Sequence, residues 1–189
     1  MSAGEIRCSA RLSVCGRYRY DLRRSWAPAP RRGHVAWVLC NPSTADAFVD
    51  DATVRKCMGF ALLWGANGIV IVNVCAWRSR HPRDLLTVDD PVGPANRGAF
   101  EHVAQDWHFH DANGYGGIEH VVCGWGNALP KRLHEHAETA LGWLEKSAIP
   151  THCLGRTKGG QPRHPLMLAY STSLEPFDDR CGRNKGEVE

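Results

Sequence analysis

The sequence predicts an α/β domain of three layers, α/β/α, with a central, mostly parallel four-stranded sheet and an N-terminal β-hairpin beside it. Three observations predict it. Four short apolar runs, Val35 to Leu39, Ile69 to Cys75, Ile118 to Cys123 and Thr151 to Leu154, have the length and β-branched content of buried strands. Stretches with helical spacing of apolar residues separate them. The 189 residues, 43% hydrophobic and 23% charged, suffice for one core and would be cramped for two.

Ahead of the first run, Arg17-Tyr-Arg-Tyr-Asp-Leu alternates at strand period, as a hairpin strand does. Residues 1 to 35 hold eight arginines (7, 11, 17, 19, 23, 24, 31 and 32) against Glu5 and Asp21, on a chain whose net charge is only +3. Two readings of this arm stand side by side: a cationic segment that contacts a phosphate backbone, or a solvated edge hairpin guarded by arginine. Between the first two runs, Val54, Met58, Ala61 and Leu62 recur at helical spacing over Asp51 to Leu63, behind Asp51, a favoured N-cap residue type. That makes a β-α-β unit. A second helix is expected from Pro94 to about Trp107, and a long third one from Ala128 to Lys146. Strands alternating with helices give a parallel sheet covered on both faces.

Trp26 to Gly33, Pro82 to Pro94 and Gly155 to Pro165 are rich in Pro, Gly and Arg and read as loops. Residues 1–177 form the expected single domain, and 178–189 a flexible tail. No run approaches the roughly 18 apolar residues of a membrane helix, and the start lacks a basic-then-apolar leader, so a cytoplasmic location is expected. The eight cysteines are scattered singly, with no C-x-x-C pair; Cys40, Cys75, Cys123 and Cys153 lie in or beside the apolar runs and read as small buried hydrophobes. His108-Phe-His110 and His134-Glu-His136 fit neither H-E-x-x-H nor a third ligand, so no metal is expected. Gly124-Trp-Gly-Asn-Ala lacks the full glycine set of a dinucleotide-binding turn, and Cys123 lies outside a nucleophile elbow; no cofactor is expected.

In an open parallel sheet, ligands bind beyond the carboxyl ends of the strands, where loops splay and helix N-termini expose N–H groups. The first run is followed by Asn41-Pro42-Ser43-Thr44-Ala45-Asp46, and the second ends at Asn73 with Trp77-Arg78 beyond. The third is followed by Gly124-Trp125-Gly126-Asn127, and the fourth by Gly155-Arg156-Thr157-Lys158 and then Arg163-His164-Pro165. The loop at Asn41 is the expected working site.

This set resembles the uracil-DNA glycosylase superfamily. Leu39-Cys40-Asn41-Pro42-Ser43 stands in the place of its G-Q-D-P-Y-H or G-I-N-P-G motif, Ile71-Val72-Asn73 is similar to its L-L-L-N strand end, Val121-Val122-Cys123-Gly124-Trp125-Gly126 resembles its third strand end, and His164-Pro165-Leu166 its H-P-S-P-type motif. Asn-Pro-Ser-Thr-Ala-Asp with Val49-Asp50-Asp51 also resembles a bacterial and phage family catalogued as a domain of unknown function.

The superfamily resemblance implies a DNA glycosylase that flips a base out of DNA and hydrolyses its N-glycosidic bond. Under it, Asn41 holds the attacking water; an amide cannot take its proton, so Asp46 or Asp51 is the candidate base, with helix capping the competing role of Asp51. Ser43 replaces an aromatic that would collide with a 5-substituent, which implies a modified pyrimidine, hydroxymethylated or glucosylated, as in phage DNA. Asn73 reads the flipped base or ties down a strand end. His164 donates to the pyrimidine O2 as charge gathers there, or else sits beside a phosphate-binding patch of Arg156, Lys158 and Arg163. Trp77 and Trp125 are the tryptophans placed to stack on a base. The expected partner is DNA, with defence against phage as the consequence. Two rivals remain: a non-catalytic module that binds modified DNA or nucleotides, and an enzyme acting on free nucleotides.

Overall fold

The computed structural model describes residues 6–26, 33–109 and 117–177. Its sheet has seven strands: β1 (Arg7–Leu12), β2 (Arg19–Ser25), β3 (His34–Leu39), β4 (Gly68–Asn73), β5 (Ile118–Cys123), β6 (Thr151–Cys153) and β7 (Glu175–Pro176), in the order β1-β2-β4-β3-β5-β6-β7. The four apolar runs are the parallel centre, β4-β3-β5-β6. Both flanks are antiparallel, with β2 on β4 and β7 on β6.

Successive side chains of a strand point to opposite faces, and the centre buries both. Val35, Trp37 and Leu39 of β3, with Ile69 and Ile71 of β4, pack beneath α1 (Ala52–Leu63) through Val54, Cys57, Phe60 and Ala61. Ala36 and Val38, with Val70, Val72, Val121 and Cys123, face α2 (Asn96–His108) and α3 (His134–Glu145) through Phe100, Val103, Leu141 and Leu144. The expected three layers are present. Cys40, Cys75, Cys123 and Cys153 are buried free thiols.

Three expectations need correction. The sheet is larger than four strands, because polar segments at both edges join it. The arginine-rich hairpin is only half an edge: β1 lies outermost, while β2 is inside the sheet, with Leu22 opposite Ile71 and fully buried. The stretch 128–146 is not one helix; α3 begins only at His134, after short 3-10 turns at Gly126–Ala128 and Lys131–Leu133. Pro130 explains the break, since it lacks an N–H and drives the residue before it out of the helical region; Leu129 is extended, at φ −68°, ψ 116°. The loop tip at 27–32, His110 and the tail at 178–189 lie outside the described residues.

Candidate functional site

The strand ends meet around a cavity of about 330 Å³, lined by Arg19, Asn41, Ser43, Asp51, Asn73 and His164 among others. That volume is at the small end of ligand sites, about 300–1,000 Å³, and suits a single base or nucleoside better than a dinucleotide. A second, larger groove of about 520 Å³ lies between the C-terminal halves of α2 and α3 and contains none of the strand-end residues.

The Asn41 loop is held from two sides. Asn41 Nδ2 donates to Ser79 O at 2.8 Å and to Pro42 O at 3.1 Å, and Ser79 N returns a bond to Pro42 O at 2.9 Å. With both amide hydrogens given to carbonyls, its Oδ1 is left as the free acceptor of the side chain. From the other side come two arginines of β2. Arg19 Nη1 donates to Ala45 O at 2.9 Å, and Arg24, ion-paired to Asp50 at 2.7 Å, also donates to Asp46 O. Both arginines are buried.

Asn73 ends β4 at the floor of the cavity. Its Oδ1 accepts from Arg19 Nη2 at 3.1 Å; because a guanidinium only donates, this partner fixes the amide orientation. Asn96 is fully buried at the start of α2, and its Nδ2 donates to Asn73 O at 2.9 Å and Val74 O at 3.1 Å, which locks the strand end in place. Burial pulls the Arg19 pKa down to about 10, opposed by the charge of Asp51, so the group stays protonated at neutral pH.

Asp51 does two things at once. Its Oδ1 caps α1 by accepting from Val54 N at 2.8 Å, and its carboxylate lines the cavity. Capping and a place in the site are therefore compatible. His164 reaches the cavity from the loop after β6, which passes close over two glycines. A Cβ at Gly126 would lie 3.1 Å from His164 Cβ, at a φ of +60° that disfavours any side chain, and a Cβ at Gly124 would lie 3.1 Å from Pro165 Cδ. Gly126 N donates to Pro162 O at 2.8 Å, tying the end of β5 to this loop. His164 Nδ1 accepts from Leu166 N at 3.3 Å, which leaves Nε2 to carry the proton of the neutral ring. Burial lowers its pKa, against the nearby Asp51 charge, so the ring is neutral at pH 7.

The structure thus brings together Asn41, Ser43, Asp51, Asn73 and His164, and does not bring in the others. Asp46 is a turn-former, its Oδ1 accepting from Phe48 N and Val49 N, and it does not line the cavity. Trp125 is buried, edge-on to Phe177, with its Nε1–H given to Gln161 Oε1. Trp77 packs edge-on against Tyr18 below the Arg17 guanidinium. Neither lines the cavity. Arg156, Lys158 and Arg163 lie on the exposed 155–163 loop outside it, with the Arg156 guanidinium over Phe177 at 4.4 Å.

Four arginines of the arm are engaged within the protein, Arg19 and Arg24 buried, Arg11 paired with Asp21 at 3.0 Å and Arg23 with Asp106 at 2.7 Å, while Arg7 and Arg17 are exposed. This favours the hairpin reading over the phosphate-contact one, with 31 and 32 outside the described residues. The sequence reading missed Arg19, Asn96 and Ser79. Arg19 alternates with Tyr18 and Tyr20, a strand pattern that gives no sign of its burial; Asn96 has a legible signal, an amide two residues after Pro94 at a helix start.

Among the described residues, no three of His, Cys, Asp and Glu assemble as metal ligands, and no helix is long and apolar enough to cross a membrane. A family model described as "Protein of unknown function (DUF1643)" matches residues 19–166, a span that contains every residue named above as holding or lining the cavity. No curated protein matches the chain. No solved structure matches it either.

Proposed function

The chain belongs to this family of unknown function, and from the site itself we propose that it is a DNA N-glycosylase of the uracil-DNA glycosylase kind, acting on a 5-substituted pyrimidine. One observation carries the reading: a neutral histidine, a carboxylate and the amide of Asn41, its oxygen free to accept, line one base-sized cavity at the strand ends. The order of the strand-end motifs, which resembles that superfamily, supports it.

In the reaction, water attacks C1′ of the deoxyribose as the C1′–N1 bond breaks, and the bonding pair leaves with the base, its charge shared between N1 and O2. The free Oδ1 of Asn41 orients the water, and Asp51 accepts its proton. The Nε2–H of His164 donates to the O2 on which charge develops, and the neutral ring does this with its proton kept on Nε2. The departed base then takes a proton from solvent. Ser43 leaves space beside the ring for a 5-substituent. Of the two carboxylates read from the sequence, Asp51 is the base, because Asp46 is committed to its turn.

The test is a gel assay for alkali-labile sites in duplex and single-stranded oligonucleotides carrying thymine, 5-hydroxymethyl or glucosylated pyrimidines. Cleavage by the wild type is expected, with His164→Ala slower by about 10²–10³-fold and Asp51→Asn, which keeps the cap acceptor, slower by about 10²–10⁴-fold. Tight binding without any abasic site refutes hydrolysis and makes the chain a reader of modified DNA.

A further inference from the structure

We infer that the cavity floor, where Arg19 and Asn73 each hold an unpartnered hydrogen-bond donor, binds an anionic oxygen group of the ligand, a carboxylate or a phosphate.

The geometry is that of two side chains, each more than nine-tenths buried, both lining the cavity and both incompletely bonded. Arg19 uses Nη1 on Ala45 O and Nη2 on Asn73 Oδ1, while its Nε has no partner. Asn73 Oδ1 accepts from Arg19, and its Nδ2 has no partner. Buried donors without acceptors cost about 1–3 kcal/mol each, so a protein that retains two at a cavity wall favours a ligand that fills them. An amide usually reads a base edge with one donor and one acceptor, and could accept the N–H of a uracil-type lactam. Here Arg19 occupies one lone pair of that acceptor and two N–H donors beside it have no partner, so the floor is richer in donors than in acceptors. An edge or substituent made of oxygens fits instead.

Charge points the same way. Arg19 is a buried cation bonded only to neutral carbonyl oxygens and makes no ion pair among the described residues. Asp51 and Asp21 act on it only at a distance; burying a charge without a direct ion pair is costly, and an anion brought by the ligand offsets it. Of the groups lining the cavity, Arg19 and Arg80 are cations against the single carboxylate of Asp51, which leaves the site positive by one with His164 neutral. The inference rests on the proposed function for the place where the ligand sits, and not for its cleavage.

The experiment is calorimetric titration of the full chain with 5-carboxy-2′-deoxycytidine and with 5-hydroxymethyl-2′-deoxycytidine, which are close in size and differ in charge, and with inorganic phosphate. Binding of the carboxylate roughly tenfold or more tighter than the alcohol places the anion on the base. Equal binding of the two nucleosides, with inorganic phosphate displacing both, places it on a nucleotide phosphate. No preference and no phosphate competition overturns the inference, as does failure of every anionic probe to bind. Asn73→Asp keeps the acceptor for Arg19 while turning the free donor into an acceptor and neutralising the guanidinium; it is expected to stay folded and lose the anion preference. Arg19→Gln, which removes the charge, is expected to lose it too. A folded variant of either kind that retains the preference overturns the inference. Base release is scored separately on oligonucleotides: anion selectivity without release sinks only the hydrolase reading, and release without selectivity sinks only this one.

Discussion

Arg24→Ala tests whether the basic N-terminal arm belongs to the fold. The guanidinium is 1% exposed and binds Asp50 Oδ1 at 2.7 and 2.8 Å, Arg23 O at 2.9 Å, Ser9 O at 3.4 Å and Asp46 O. Truncation leaves Asp50 without its cation and removes one donor from each of three backbone carbonyls. Breaking a fully buried pair costs about 3–5 kcal/mol, and Asp50, 29% exposed, recovers part of that by hydration. The carbonyls add about 1 kcal/mol or more each where water does not reach them. Together these give a loss of about 3–5 kcal/mol, a large share of the roughly 5–15 kcal/mol that holds a domain folded. At about 2–4 °C per kcal/mol, Tm falls by about 6–20 °C. Urea unfolding followed by tryptophan fluorescence measures it, with Arg97→Ala as the control. Arg97 pairs with Glu101 one helical turn away, both well exposed, and its loss is worth less than about 1 kcal/mol. If Arg24→Ala and Arg97→Ala unfold at the same midpoint, the arm is not internally committed and the phosphate-contact reading returns.

Two further outcomes follow from the site. Gly126→Ala forces a side chain into φ +60° and against His164 Cβ at 3.1 Å; a stability loss of about 1–2 kcal/mol is expected from the backbone alone, with a drop in base release as the histidine loop shifts. Unchanged release in this variant would show that the loop does not depend on that close passage. Burial lowers the pKa of His34, His152 and His164, so the folded chain binds fewer protons than the unfolded one below about pH 6.5. Their contribution is full above that value and is lost as pH falls through the depressed folded values, so the urea midpoint should be lower at about pH 5.5 than at about pH 7.5. His152→Gln should narrow the gap, and a midpoint that rises on acidification would contradict the burial of these rings.

What the sequence determined by itself is the parallel centre and the side of the sheet where the candidate site lies. Four runs of apolar residues buried on both faces leave few ways to be anything but strands, and once parallel they send Asn41, Asn73 and Gly124 to one edge. Ser43, Asp51 and His164 were legible for the same reason, as polar residues that follow apolar runs or begin a helix. Only the tertiary structure decided which of them meet. It separated Asp51 from Asp46, since one carboxylate caps a helix beside the cavity and the other closes a turn outside it, a difference no local pattern encodes. It also moved Trp125 into the core. Above all it decided the arginines: β2 reads as a charged surface strand, yet pairing with β4 places Arg19 and Arg24 in the interior, where the carbonyls of the Asn41 loop and the amide of Asn73 bind them. Those partners lie 22 to 54 residues away along the chain. A buried cation is tolerated only when distant groups converge on it, and that convergence belongs to the fold rather than to any segment of the sequence.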